Sequence, residues 1–151
     1  MNDPIYISGK CHYASIVEPN TKFEPVWSIQ VEVNDDNRAV IEKSGLPINN
    51  KDDDRGDFVT IKRKVLRPDG TQRAAPFVKD SQNSPWNGKL IANGSTVNVK
   101  ATPYEWNYAG KSGVSADLAA VQVVDFIEYM STDLDFEPVE GGYVQEENVP
   151  F

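Results

Sequence analysis

The chain has 151 residues, of which 39% are hydrophobic, and a formal net charge of −8. That length suits one domain, and no segment approaches the roughly 18 consecutive apolar residues of a membrane span. Residues 1–10 lack the basic start and apolar run of a signal peptide, and Cys11 is the only cysteine, so no intrachain disulfide can form. We therefore expect a soluble intracellular protein.

Apolar and polar residues alternate in the first quarter of the chain and predict two strands. The first covers residues 6–17 and is interrupted at Gly9. The second covers residues 26–33, where the odd-numbered positions are apolar and are expected to face the core. Trp27 occupies one of these positions, so we interpret it as a core residue.

A short helix is predicted over residues 37–44. Asp35 and Asp36 precede it as candidate N-caps, and Gly45 follows it as a C-terminal stop signal. An acidic loop comes next. Its consecutive carboxylates at residues 52–54 could hold a cation, as in a nuclease, but such a run is more typical of a solvated loop.

Catalytic motifs are weak in this sequence. His12 is the only histidine, and the adjacent Cys11 cannot share its side of a strand. No metal-ligand spacing is evident, and the Gly-Lys-Ser-Gly run at 110–113 lacks the upstream glycine of a phosphate loop, so it predicts a turn. We expect no enzymatic activity and no cofactor.

A third strand is predicted over residues 58–66, followed by a Pro-Asp-Gly turn and a return strand over 71–78. Lys62 and Lys64 share one face of the third strand. They either neutralise successive phosphates or protect an exposed strand edge. The basic residues of this region, which has Asp69 as its only acid, are Lys62, Arg63, Lys64, Arg67, Arg73 and Lys79.

A polar connection over residues 79–95 surrounds Trp86. Trp86 and Phe77 lie near this loop, where alternation cannot assign a face to either ring. Packing and base contact both remain open for these two residues.

The strand predicted over residues 96–108 carries three aromatic residues on the face opposite its core positions. Tyr104, Trp106 and Tyr108 recur at every second residue, on the same face as Lys100. Such rings beside a lysine can stack nucleic-acid bases and contact a phosphate. Alternatively, Pro103 inserts a bulge that turns some of the rings back into the core.

A last strand is predicted over residues 114–129. Five or six strands with one short helix and no alternating strand–helix units indicate an all-β barrel or sandwich. Periodicity is lost near its end, so we assign residues 1–131 to the folded domain and residues 132–151 to a disordered acidic tail.

The tail holds most of the net charge. Six of the eight net negative charges lie there, which leaves −2 for the rest of the chain, so the acidity does not argue against a nucleic-acid ligand. The tail either docks onto a partner, competes for the protein's own basic groove, or only solubilises the protein. The residues expected to carry the first two roles are Asp133, Asp135, Glu137, Glu140, Glu146, Glu147 and the terminal Phe151.

Several motifs resemble the single-stranded DNA-binding proteins of T7-like tailed bacteriophages. The dense part covers residues 92–123, including Pro103-Tyr104-Glu105-Trp106-Asn107 and the run at 113–122. Weaker similarity extends over most of residues 5–130, including Glu18-Pro19 and Asp80-Ser81. The ending Asn-Val-Pro-Phe is also similar to the Pro-Phe tip of bacterial single-stranded DNA-binding proteins.

The resemblance implies an OB fold, a five-stranded Greek-key barrel, that binds single-stranded DNA during phage replication, recombination and strand annealing in the host bacterial cytoplasm. It also implies that the tail recruits a polymerase, helicase or primase, and a homodimer is one option. The rival hypothesis is a virion or host-interaction β-barrel whose aromatic residues bind protein or sugar. The candidate DNA-binding residues are Lys62, Lys64, Arg67, Arg73, Phe77, Lys100, Tyr104, Trp106 and Tyr108.

Overall fold

The computed structural model describes residues 3–22 and 24–128. Alternating apolar segments and tight turns form seven strands and one helix within these residues. In chain order the elements are β1 (Ile5–Asn20), β2 (Val26–Glu32), α1 (Arg38–Ser44), β3 (Asn49–Asn50), β4 (Asp57–Lys64), β5 (Phe77–Lys79), β6 (Thr96–Tyr108) and β7 (Lys111–Asp125).

Five of the strands close into a barrel. Antiparallel pairing runs from β4 through β2, β1 and β6 to β7, and a parallel contact between Lys62 of β4 and Asp117 of β7 completes the ring. The short strands β3 and β5 pair with the outer edges of β4 and β7. This connectivity is that of an OB fold and confirms the predicted fold class.

Side chains from the inner faces of the barrel strands form one core. The odd-numbered positions of β2 are buried, so both the predicted alternation and the core position of Trp27 are confirmed. Burial also raises the pKa of the Cys11 thiol to about 11, which keeps it protonated and unreactive at neutral pH. Other large core residues are Ile7, Ile16, Ile41, Val59, Ile61, Val97, Val99, Leu118, Val121 and Val123.

Strand β1 pairs first with β6 and then with β2, and Gly9 lies close to the residue at which its partner changes. Residues up to Lys10 pair with β6, whereas residues from Cys11 onwards pair with β2. A Cβ on Gly9 would lie 2.9 Å from the backbone oxygen of Glu32, so only glycine fits there. The predicted interruption is therefore wrong, since the strand continues through this glycine.

Asn37, rather than Asp35 or Asp36, is the N-cap of helix α1. Its side chain makes no capping bond and points to the barrel instead. The buried Nδ2 donates to the backbone oxygens of Ser8 at 3.0 Å and Glu32 at 2.9 Å. An amide can serve two carbonyl acceptors in this way and a carboxylate cannot, which explains why the asparagine takes this position.

The helix packs on the barrel through the buried Ile41 and ends at Gly45. Gly45 has a φ of 84°, a left-handed conformation that favours glycine, as predicted for the stop signal. The side chain of Val114 in β7 packs beside this glycine. No helix in the described part of the chain is long and apolar enough to cross a membrane.

The return strand predicted over residues 71–78 is wrong. The Pro-Asp-Gly turn after β4 forms, but only one bridge follows it, between Leu66 and Gln72. Pro76 has no N–H to extend an antiparallel ladder. The chain then forms β5, which pairs in parallel with β7 and not with β4.

The hairpin between β6 and β7 is tighter than predicted. Its turn lies at Ala109 and Gly110, with φ values of 51° and 81°, and residues 111–113 already belong to β7. Two left-handed residues in succession match the right-handed twist of the flanking strands. The last strand ends at Asp125, short of the predicted residue 129.

Trp86 is a packing residue. Its half-buried ring meets Phe126 edge to face, with ring centroids 4.9 Å apart, and its indole N–H donates to the backbone oxygen of Lys89 at 2.8 Å. These contacts decide the open assignment of Trp86 in favour of packing.

The C-terminal predictions lie outside the described residues. This applies to the domain boundary between residues 131 and 132 and to every residue expected to carry the role of the tail: Asp133, Asp135, Glu137, Glu140, Glu146, Glu147 and Phe151.

Candidate nucleic-acid interface

Two exposed lysines, Lys62 and Lys64, lie on the outer face of β4, as the alternation predicted. Lys62 lies between β2 and Asp117 of β7. No carboxylate within residues 3–22 and 24–128 forms an ion pair with it. Lys64 Nζ is 4.0 Å from the exposed carboxylate of Glu24, a contact of little strength. Both ammonium groups are therefore available to an anionic ligand.

The three aromatic residues at the end of β6 all remain on its outer side. Tyr104, Trp106 and Tyr108 are 45%, 37% and 79% exposed. Pairing with β7 is regular from residue 101 to residue 108, and Pro103 is buried. The alternative in which Pro103 turns the rings into the core is therefore wrong.

Gly113 of β7 makes room for the indole of Trp106. The two residues are partners across the hairpin, and a Cβ on Gly113 would lie only 2.7 Å from Cζ2 of the ring. The indole therefore covers the glycine backbone, which fixes its position while part of the ring remains exposed. An exposed ring held in this way is suited to stacking on another flat group.

Arg73 belongs to a cluster on the seam between β4 and β7. Its Nη2 lies 3.2 Å from an oxygen of Asp117, and Arg63 contacts the same carboxylate while donating to the backbone oxygen of Ala74 at 2.9 Å. One carboxylate between two guanidinium groups leaves a local excess of one positive charge. Arg73 thus supports the fold and adds to the positive field near Lys62.

Three other predicted binding residues lie elsewhere on the surface. Arg67 donates to the backbone oxygen of Gln72 at 2.9 Å and so braces the turn after β4. Phe77 lies on β5 with 68% of its surface exposed. Lys100 lies on β6, with its Nζ 5.9 Å from the centre of the Tyr6 ring.

An open groove of about 790 Å³ crosses the outer faces of β1 and β2. In OB folds the outer face of the second and third barrel strands, here β2 and β4, is the usual ligand surface. Sequence patterns missed the groove because Tyr13, at its edge, adopts a left-handed φ of 51° that alternation does not reveal. Its lining includes Tyr13, Ser15, Pro19, Ser28, Gln30 and Ile91.

Arg55 lies at the edge of this groove between two aromatic rings, and sequence reasoning missed it as well. Its guanidinium carbon is 4.3 Å from the centre of the Phe58 ring and 5.4 Å from that of Tyr13. Its Nη1 donates to Gln30 at 2.7 Å, and Asp53 accepts bonds from its other nitrogens. These bonds lower the pKa of Asp53 to about 2.

The acidic loop is thus tied to the groove through Asp53. No group of three His, Cys, Asp or Glu side chains within the described residues is arranged to hold a metal ion. The single histidine, His12, lies with its Nε2 2.6 Å from a carboxylate oxygen of Glu32.

No protein-family model and no curated protein matches the chain. Among solved structures it is similar to gp2.5, a single-stranded DNA-binding protein encoded by bacteriophage T7, with a TM-score of 0.62 and 18% identity over 97% of this chain and 100% of that one. It is also similar to the single-stranded DNA-binding protein from bacteriophage Enc34 in complex with single-stranded DNA, with a TM-score of 0.58 and 17% identity over 83% of this chain and 88% of that one.

The fold therefore places the chain in the class of OB-fold barrels. Within that class, it shares its fold with the phage T7 and Enc34 single-stranded DNA-binding proteins. This is the fold that the sequence resemblance implied.

Proposed function

We propose that this protein is a non-enzymatic, sequence-non-specific single-stranded DNA-binding protein. The observation that carries the proposal is the set of exposed rings at Tyr104, Trp106 and Tyr108 on a barrel whose outer face also carries Lys62 and Lys64. Stacking contributes about 1–3 kcal/mol per base and tolerates any base. Lysines neutralise phosphates without reading sequence. The fold shared with phage DNA-binding proteins supports the same function by analogy.

The DNA strand runs across the outer face of β2 and β4 and continues to the β6–β7 hairpin. Lys62 and Lys64 contact phosphates near the middle of this path, and the hairpin aromatics stack bases at one end. Arg67 and Arg73 add positive charge along the side of β4. In this role the protein covers single strands during phage DNA replication, recombination and annealing in the bacterial cytoplasm.

The acidic C-terminal residues have two functions in this proposal. Their carboxylates compete with DNA phosphates for the basic face, and Phe151 docks into a pocket of a phage or host replication protein, such as a polymerase, helicase or primase. Acidic residues followed by an apolar ring suit both functions, because charge steers the encounter and the ring gives the buried contact.

Tryptophan fluorescence tests the stacking surface. Trp27 is buried and Trp86 is packed, so oligothymidine should quench mainly Trp106. Trp106→Ala should weaken binding at least about fivefold, the lower limit for a lost stacking ring. Trp106→Phe serves as the matched control, since it keeps a ring and should retain affinity while losing most of the quenching. Folded wild-type protein that shows no quenching at low salt would contradict the proposal.

A gel shift separates this function from the rival β-barrel that binds protein or sugar. Single-stranded DNA should shift the protein at concentrations where duplex DNA does so weakly, and added salt should reverse the shift. Retention on a neutral polysaccharide gel together with no DNA shift would favour the rival.

A further inference from the structure

Strand register places four outward side chains in one row on the outer face formed by β5, β7, β6 and β1. Phe77 pairs with Ala120, Ala120 with Lys100, and Lys100 with Tyr6. We call these four residues the lysine–aromatic row. Neighbouring strands lie about 4.8 Å apart, so three steps separate the two rings by about 14 Å. The small Ala120 leaves the space between Phe77 and Lys100 open.

Residues 3–22 and 24–128 leave both rings of the row largely exposed. Tyr6 is 64% exposed and Phe77 is 68% exposed. Each has an ammonium group beside it: Lys100 Nζ is 5.9 Å from the centre of the Tyr6 ring, and Lys79 Nζ is 5.9 Å from that of Phe77. Neither lysine forms an ion pair with a carboxylate of the described residues. Isolated exposed aromatics are ordinary, but two in one register row, each next to an ammonium group, form a distinct surface.

A row of hydrogen-bonded side chains lies next to the lysine–aromatic row. Ser8 donates to Asn98, and Asn98 Nδ2 donates to Gln122 at 2.8 Å. Gln122 Nε2 in turn donates to the backbone oxygens of Asp80 and Ser81 at 3.3 and 3.2 Å. Because these amides already bond one another, they are not free to read base edges. The surface therefore offers flat rings and positive charge without sequence selectivity.

Tyr6 of the row lies on β1, which also lines the groove, but it is seven residues from Tyr13, about 23 Å along an extended strand. Around the ring of five strands, β6 is two strands away from β2 through β1 and two strands away from β4 through β7. Lys100 and Tyr104 share the outer side of β6 four residues apart, about 13 Å at the rise of a strand. A strand that stacks on the hairpin aromatics can therefore continue along β6 and reach the row.

We infer that the lysine–aromatic row is a second contact surface for single-stranded nucleic acid, which binds the part of a long strand that extends beyond the groove and the hairpin. The inference rests on the proposed function. Its ligand is a polyanion with flat rings because Lys100 of the row and the neighbouring Lys79 place positive charge beside two stacking surfaces. A protein partner or a second copy of the chain would require an apolar patch with fewer free cations at its centre.

The test compares two oligothymidines in binding titrations. One of about 8 nucleotides fits within the 4–16 that one OB fold usually occupies, and one of about 30 exceeds that range. The double variant Tyr6→Ala/Phe77→Ala should bind the short oligonucleotide like the wild type and the long one at least about fivefold more weakly. Lys100→Gln should reduce the salt dependence for the long oligonucleotide alone, by about one counterion. Val124→Ala, an exposed apolar residue outside the row, is the control.

The outcomes separate the hypotheses. If the variants bind both lengths like the wild type, the row does not contact DNA and the inference is wrong. Equal losses for both lengths would place the row in the primary site, and altered self-association in sedimentation would assign it to a dimer contact, so either result overturns the inference. If the wild type binds neither oligonucleotide, the proposed function itself fails. If the double variant does not fold, the salt dependence measured for Lys100→Gln with the long oligonucleotide decides whether the row contacts DNA.

Discussion

At the scale of single residues, Arg55 connects the acidic loop to the groove on β1 and β2. Its guanidinium is held between the Phe58 and Tyr13 rings, and its outward nitrogens bond the carboxylate of Asp53. A carboxylate and a phosphate use the same fork of N–H donors. If DNA reaches this groove, we expect one of its phosphates to replace the carboxylate of Asp53 as the partner of Arg55.

Replacement of Asp53 should raise the affinity for single strands. Asp53→Asn removes the competing carboxylate and frees Arg55, so we expect a several-fold lower dissociation constant for oligothymidine at low salt. Asp54→Asn is the matched control, because it removes the same charge from the same loop without touching the arginine's partner. Equal gains from the two variants would show that only the overall charge matters.

The ion pair between Arg55 and Asp53 also makes the stability of the protein depend on pH. Bonds from Arg55 lower the pKa of Asp53 from 3.8 to about 2. A lowered pKa in the folded state means that the pair contributes to stability above pH 3.8 and that this contribution is lost as the pH falls towards 2. The carboxyl carbon of Asp53 should titrate near pH 2 by NMR in the wild type and at a higher pH in Arg55→Gln, which removes the side-chain bonds but keeps the bond from the backbone N–H of residue 55. A midpoint unchanged by that substitution would contradict the pairing.

At the scale of elements, Asn37 attaches helix α1 to the barrel. Its buried amide donates to the backbone oxygens of Ser8 and Glu32 and accepts from Asn34 N at 2.8 Å. Asn37→Asp would set a carboxylate oxygen against two carbonyl oxygens. We expect a loss of about 1–3 kcal/mol or more in the free energy of unfolding, measured in urea. The same change at the exposed Asn107 should have little effect.

The β6–β7 turn is not optimal for its conformation. Ala109 adopts a φ of 51°, where asparagine is tolerated better than alanine. Ala109→Asn should therefore stabilise the protein by up to about 1 kcal/mol, with a higher urea midpoint and an unchanged slope. The same substitution at the exposed helical Ala39 should destabilise it, by about 0.7 kcal/mol or less. A loss of stability at position 109 would contradict the assigned turn.

At the scale of the whole molecule, local patterns predicted local structure and failed where distant segments meet. Alternation identified the core side of β2 and β6, including Trp27, because burial has a period of two along a strand. It could not identify the ion pair of Arg73 with Asp117, 44 residues away, nor the parallel pairing of β5 with β7. Tyr13 and Arg55 were missed because a left-handed residue and a loop arginine leave no periodic signal.

Removal of the acidic tail is the test for its competition with DNA. A chain lacking residues 133–151 loses six negative charges and should bind oligothymidine more tightly at low salt. The gain should fade towards 1 M salt, where charges act over only about 3 Å. Full-length protein with the six acids changed to amides should behave like the truncated chain, whereas Phe151→Ala should not. Unchanged affinity after truncation would exclude self-competition.

The barrel closes through one short backbone contact. β4 and β7 meet in register at one residue pair, Lys62 and Asp117, whereas the other barrel strands share longer ladders. Backbone amides along this seam should exchange with solvent through local opening at a lower free-energy cost than those at the centre of β2. A DNA strand that contacts both Lys62 and the β6–β7 hairpin would bridge the seam. In that case, occupancy of the proposed binding face should slow amide exchange at the seam, because bound DNA would favour the closed barrel.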